Sequence, residues 1–311
     1  MPPSALVVSS IVSVQVGAGL AGRMFGQVTP AVMTGLRLWS GALLVAALGG
    51  RELARSLRDL AAERAWRDAA VAVAFGVTLG IMNFSIYQSF ARIPLGIAVT
   101  IEFLGPLAVA VASSRRLIDL AWVGLAGAGV ALLSNGWSSL AAHGGRAAHG
   151  AAGSAAAGVA FALVAAAGWA AYIVLSASTG RRFRGSSGLV IAMAIAAVVV
   201  TPAAAVQRSG GHGSVLRLGV LATGAAVGLL SSVIPYRLEL EALRRIPARV
   251  FGIWMSLEPA VAALVGLVLL SEALAAREWA AIACVMVACA GAARGAAEPD
   301  SAPGGAPPPA P

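Results

Sequence analysis

The chain has 311 residues, 59% of them hydrophobic and only 11% charged, against about 25% charged in an ordinary soluble domain. Its formal net charge is +9, yet all 22 basic residues are arginines, spread in short groups between apolar runs and not gathered into a nucleic-acid-binding patch. With no lysine in the chain, a Walker A phosphate loop and a Schiff base are both excluded.

In chain order, ten apolar runs approach the roughly 20 residues that a membrane-crossing helix needs. They fall at about 4–22, 30–49, 69–90, 94–112, 119–137, 154–178, 188–206, 218–238, 247–270 and 277–293. The expected fold class is therefore an all-α polytopic membrane protein. No basic segment precedes the first run, which reads as a helix and not as a cleaved leader. Within it GAGLAG (17–22) matches GxGxxG, but no strand precedes it, so close helix packing is expected. After the second run comes RELARSLRDLAAERAWRD (51–68), with Leu53, Leu57 and Leu60 on one helical face and arginines on another. That pattern suits the cytoplasmic interface. Gly76 and Gly80 in the third run, and Gly224 and Gly228 in the eighth, are GxxxG pairs suited to close packing.

The loops between the runs set the topology. Arg51, Arg55, Arg58, Arg64, Arg67, Arg115, Arg116, Arg181, Arg182, Arg184, Arg244, Arg245 and Arg294 fall on one side, thirteen in all. Only six, Arg23, Arg92, Arg146, Arg208, Arg217 and Arg277, fall on the other. By the positive-inside rule both termini are cytoplasmic. His143, His149 and His212 lie in the external loops and read as solvated side chains. Cys284 and Cys289, five apart in the tenth run, do not share a helix face and read as small apolar filler. No metal site, cofactor or nucleic-acid partner is expected.

One segment occurs twice. RIPLGIAVTIEFLGP (92–106) and RIPARVFGIWMSLEP (245–259) align at an offset of 153, with Arg, Ile and Pro coinciding, then Leu104 with Leu257 and Pro106 with Pro259. Each copy spans the fourth helix of a five-helix half. The expected organisation is a first repeat over 1–137, a connecting loop over 138–153, a second repeat over 154–293 and a disordered Pro/Ala/Gly-rich tail over 294–311. Five is odd, so the two repeats are inverted, which agrees with Arg92 lying outside and Arg245 inside. Inverted repeats are a construction of secondary transporters, whose substrate sites lie near the midplane between the halves.

Few polar side chains lie within the runs, and each is a candidate. A charge at the centre of a membrane helix costs roughly 2.5–3.5 kcal/mol even on insertion scales, so Glu102 and Glu258 need a reason to be there. Glu258 is three positions off the repeat register, which returns it to nearly the same helix face. Both are expected to face one central cavity and to bind protons or substrate. Arg37, in the second run, either joins them or snorkels outward. Gln15, Asn83, Tyr87, Trp169, Tyr172 and Tyr236 make a polar and aromatic lining, Asn83 and Tyr236 standing at the repeat offset. Pro94, Pro106, Pro247 and Pro259 are expected helix kinks that free backbone carbonyls. Arg237, Glu239 and Glu241 read as a solvated helix end. No HExxH, paired aspartates or Cys/His cluster occurs, so no catalytic residue is assigned. A glutamate beside Arg37 suits a zwitterion, and a carboxyl at such depth can take up a proton in one conformation and release it in the other.

PLGIAVTIEFLGPLAVAVASSRR (94–116) and MSLEPAVAALVG (255–266) resemble the EamA family of the drug/metabolite transporter superfamily, and within it the bacterial threonine/homoserine exporters. QVGAGLA (15–21), VTLGIMNFSIYQS (77–89), GWAAYI (168–173) and SSVIPYRLE (231–239) fit the same pattern in order, so the resemblance covers roughly 5–293. It implies a multi-pass exporter of the bacterial inner membrane, handling amino acids or similar small metabolites by proton antiport. The family's glutamates land on Glu102, Glu239 and Glu258. Arg237, Glu241 and Arg249 depart from the family pattern near the cytoplasmic mouth. The alternative cargo is a lipophilic cation, a drug or another metabolite. The partners implied are that cargo, protons and the lipid bilayer, and a single chain is compatible with all of this.

Overall fold

The computed structural model describes residues 1–61, 66–113, 118–134, 155–183, 187–208 and 216–295. Among them every regular element is helical: α1 Pro3–Met24, α2 Pro30–Ala61, α3 Trp66–Phe90, α4 Leu95–Glu102, α5 Leu104–Ala112, α6 Ile118–Ser134, α7 Ala155–Arg182, α8 Ser187–Arg208, α9 Leu218–Gly228, α10 Ile234–Leu243, α11 Ala248–Met255, α12 Glu258–Val265 and α13 Ala276–Gly295. Two π-helical turns, Leu229–Val233 and Gly266–Leu270, follow α9 and α12. Taken as continuous helical stretches, nine are long and apolar enough to cross a membrane, and Ile118–Leu133 is a shorter apolar tenth. This is a polytopic all-α membrane protein. The ten expected runs therefore correspond to helices, although three of them are interrupted. Leu53, Leu57 and Leu60, the three histidines, the 138–153 loop and the C-terminal tail lie outside what the structure describes, by side chain or entirely.

In an apolar solvent each segment must satisfy its own backbone, which leaves helix as the local solution. Proline decides where those helices stop. A proline lacks an N–H and its ring crowds the carbonyl four residues earlier. Pro106 stands four residues after Glu102, the last residue of α4, and Pro259 four after Met255, the last of α11. The chain then takes a tight turn, through Phe103 in one case and through Ser256 and Leu257 in the other, and resumes as α5 and α12. Pro106 and Pro259 thus occupy the first turn of the second helix, a position proline tolerates. Pro94 and Pro247 were expected as kinks, but each is the N-cap that starts its helix. The π turn at Leu229–Val233 precedes Pro235 in the same way, and Pro202 lies inside α8.

Packing is tightest where glycine permits it. Around α3 stand α7 and α8, α2 lies along α8, α6 along α13, α1 along α10, and α4 along α12. A Cβ on Gly76 would sit 2.5 Å from Ile195 Cβ, so α3 and α8 touch through it, and Gly224 meets Leu36 of α2 in the same manner at 2.8 Å. The GAGLAG stretch is a packing seam: a Cβ on Gly19 would lie 2.8 Å from Val265 Cγ1, and one on Gly22 3.1 Å from Leu270. Gly105 is the extreme case, because its Cβ would overlap the carbonyl oxygen of Ala166 on α7. Backbone cannot yield as a flexible side chain does. Gly105→Ala is therefore expected to lower stability by at least about 1–3 kcal/mol, read as a lower thermal midpoint in detergent. Gly127→Ala, which meets nothing within 4 Å, should leave the midpoint unchanged.

Candidate functional site

The interrupted helices meet at a cavity of about 250 Å³. Glu102, the last residue of α4, and Glu258, the first of α12, stand on opposite sides of their respective breaks and both line it. This explains the three-residue slip between them in the repeat register. Each is buried, with 9% and 6% of its surface exposed. Arg37 lines the same cavity, close enough to Glu102 for their charges to interact. It does not snorkel outward: its Nη2 donates to the carbonyl oxygen of Ser231 at 3.2 Å, and its guanidinium lies 5.4 Å from the centroid of the Tyr87 ring. The Ser231 carbonyl is the one that Pro235, four residues on, cannot bond. One proline therefore supplies the acceptor that holds the one lining arginine.

α1 organises the opposite wall. Gln15 Nε2 donates to Glu258 Oε1 at 2.8 Å, Ser10 Oγ to Glu239 Oε1 at 2.6 Å, and Ser13 Oγ to the Leu230 carbonyl in the π turn at 2.7 Å. Glu239 had the look of a solvated helix end, like Arg237 and Glu241. The structure corrects this: Glu239 lines the cavity, near enough to Glu258 for their charges to interact, while Arg237 is exposed and Glu241 pairs with Arg245 at the surface. The available signal was helical spacing, since Glu239 stands one turn after Tyr236 and shares its face.

The remaining expected lining residues divide. Asn83, Trp169, Tyr172 and Tyr236 line the cavity with Gln15. Asn83 donates back to the Leu79 carbonyl of its own helix at 2.8 Å, Trp169 packs edge-on against Phe103 with centroids 4.8 Å apart, and Tyr172 lies 5.1 Å from Phe75. Tyr87 does not line it. It is fully buried behind the wall, among Phe25 and Phe90, and its ring supports Arg37 from beneath. Ser231 and Ser232, which sequence reasoning passed over, are at the lining too.

Three atoms of this site are buried and without a hydrogen-bond partner among the described residues: the donor Arg37 Nε and the acceptors Gln15 Oε1 and Glu258 Oε2. Buried polar atoms in folded proteins are nearly always satisfied, so these are open positions that a polar ligand or water can fill. Among the described residues the lining holds one cation, Arg37, against three carboxyls, Glu102, Glu239 and Glu258. Cys284 and Cys289 are free thiols on α13, away from this lining. Gln15→Leu removes the amide that bonds buried Glu258, and the loss is expected to cost about 1–3 kcal/mol of stability. In Glu258→Gln the acceptor is no longer a carboxylate. A double-mutant cycle by thermal unfolding should therefore show the pair losing less than the sum of its single variants.

Comparison with known proteins agrees with this architecture. Residues 156–294 match the EamA-like transporter family. The chain is 36% identical over 292 residues to the threonine/homoserine exporter RhtA of Salmonella typhimurium strain SL1344, covering 93% of this chain and 90% of that protein. The threonine/homoserine exporter RhtA of Escherichia coli strain K12 is similar to the same extent, 36% over 292 residues with 93% and 90% coverage. A crystal structure of a protein 20% identical in sequence superposes with a TM-score of 0.56, over 92% of this chain and 96% of that one, and bears on the fold alone. Identity at that level along nearly the whole chain, together with the family match over its second half, makes this protein a member of the EamA-like transporter family, a multi-pass membrane transporter and not an enzyme.

Proposed function

We propose that the protein exports small zwitterionic metabolites, threonine or homoserine first among them, across the bacterial inner membrane by proton-coupled alternating access. The observation that carries this reading is one guanidinium, Arg37, and one carboxyl, Glu102, near enough for their charges to interact and both in the wall of the same cavity. A free amino acid presents the complementary pair, a carboxylate for the arginine and an ammonium for the glutamate. The size suits such a cargo, since a cavity of about 250 Å³ is at or below the lower end of pockets that take drug-sized molecules, roughly 300 Å³. The names of the two relatives point the same way.

In this reading Glu102 is the proton site and Glu258 its partner from the inverted half. A carboxyl that is neutral while one face is open and charged while the other is open couples a proton to each half-cycle. The unpartnered Arg37 Nε and Glu258 Oε2 are positions where the cargo replaces the hydrogen bonds it leaves in water. A second reading, export of lipophilic cations, is favoured by the surplus of carboxyls and by Trp169, Tyr172 and Tyr236 in the wall. Arg37 counts against it, because a cation entering the cavity would meet that charge.

Counterflow of labelled threonine and homoserine in proteoliposomes, with and without an imposed pH gradient, tests the proposal. Wild type should show gradient-driven flux. Glu102→Gln should lose the response to the gradient and slow exchange by about tenfold or more, because the amide neither takes up the proton nor meets the ammonium as a charge. If wild type moves neither amino acid yet protects vesicles from cationic dyes, the second reading replaces the first.

A further inference from the structure

The two RIP segments start alike and end up in different surroundings. All eight residues of α4, which follows the first, are buried, whereas α11, which follows the second, has none. Pro94, Leu95 and Gly96 are packed in, while Pro247, Ala248 and Arg249 are exposed. The cavity wall includes the last residues of both helices, Glu102 and Met255, together with Phe90, Val99, Glu239 and Leu189, the third residue of α8. The start of α4 is the packed end.

What closes it is a small set of contacts outside the cavity. Pro94 is the N-cap of α4, so Leu95 carries the first backbone N–H of that helix, and Glu272 Oε2 accepts it at 2.8 Å. Glu272 belongs to the short loop between the second π turn and α13, where Ser271 adopts a left-handed conformation with φ 59°. Its own N–H donates to the Gly266 carbonyl at 3.1 Å, which fixes the loop on the turn. Arg23, at the end of α1, donates through Nε to the Leu269 carbonyl at 2.7 Å. Gly96 lets α4 lie on α12, since a Cβ there would be 2.6 Å from Ala263 Cβ. Burial pushes the Glu272 carboxyl up to about 7 while the Leu95 N–H draws it back, so the bond is made against a desolvation cost.

We propose that Glu272 is a positioning residue of the transport cycle: its carboxyl latches the start of α4 to the loop after α12, keeps the cavity shut at that end, and releases Leu95 when the protein turns over. The inference rests on the alternating-access reading above. In the opposite state the start of α4 is exposed and the start of α11 is packed. Because Glu102 is the last residue of α4, releasing the start of that helix also moves the carboxyl in the cavity wall.

Thiol labelling tests this without a substrate. Cys284 and Cys289 are replaced by alanine in the full-length chain. Single reporters are then placed at the α4 end, Ala98→Cys, and at the α11 end, Arg249→Cys, and the protein is held in lipid nanodiscs that leave both faces open to a water-soluble maleimide. Glu272→Ala should raise the labelling rate of Ala98→Cys about tenfold, the factor expected from losing a hydrogen bond to a charged group. The same change should lower the rate of Arg249→Cys, because the two ends open in alternation. Glu272→Gln, whose amide oxygen still accepts from Leu95, should restore both rates towards wild type. If neither rate moves in Glu272→Ala, or if both rise together, the carboxyl is not a gate latch and the proposal falls, the second outcome marking it as a support of the fold. Failure of threonine counterflow with this labelling pattern intact overturns the substrate and leaves the latch standing.

Discussion

A backbone carbonyl stripped of its helical N–H partner in an apolar layer has to find another donor, and in this protein proline creates such carbonyls where the site is built. Pro235 leaves the Ser231 carbonyl open and Arg37 bonds it. Pro106 and Pro259 each end a helix four residues upstream and set Glu102 and Glu258 at the two breaks. A continuous helix at these places would have no free acceptor for the arginine and no turn to carry the glutamates into a shared cavity. The placement of charge in the membrane thus follows from the placement of three imino acids.

The second dependence is on α1. It carries no charge before Arg23, and its mean character is that of any membrane helix. Yet Ser10, Ser13 and Gln15 each donate to a group from the second half of the chain, two carboxyls and one π-turn carbonyl. A buried carboxyl left without a partner costs about 1–3 kcal/mol, so this helix secures the acids of the second half of the chain while its glycines keep it close to them. Gly17 packs against Ser231, and Gly19 and Gly22 pack on the segment Val265–Leu270. One helix therefore both donates to the site and packs tightly against two of the interrupted helices that form it.

Much of this was legible in the sequence, for reasons that differ by residue. The crossings were readable because a bilayer demands long apolar runs, and Glu102 and Glu258 stood out because charge at that depth is rare. The prolines announced breaks. What they did not announce was the side of each break on which a glutamate would sit, since that depends on where the helix resumes. Tyr87 and Glu239 were misplaced in complementary ways. Tyr87 falls at mid-span, where the sequence alone points to lining, but its ring turns into the aromatic cluster of Phe25 and Phe90. Glu239 falls among charges near a helix end, where the sequence alone points to solvent, but it accepts a hydrogen bond from a serine on a helix more than two hundred residues away and lines the cavity. Neither contact leaves a local trace, because both are set by which helices pack together. The bond from Leu95 to Glu272 is of the same kind.

The π turn at Leu229–Val233 holds one residue more than an α-helical turn would. Each residue in a helix advances the following side chains by about 100° around the axis, so that surplus residue sets the direction in which everything after it points. Tyr236 and Glu239 face the cavity because the count up to Pro235 includes it. A chain shorter here by one residue that does not line the cavity would keep its hydropathy and every lining side chain, yet would present tyrosine and glutamate to a neighbouring helix or to lipid instead of to the cargo. Among homologues, single-residue gaps in this stretch are therefore a sharper guide to changed substrate than substitutions along it.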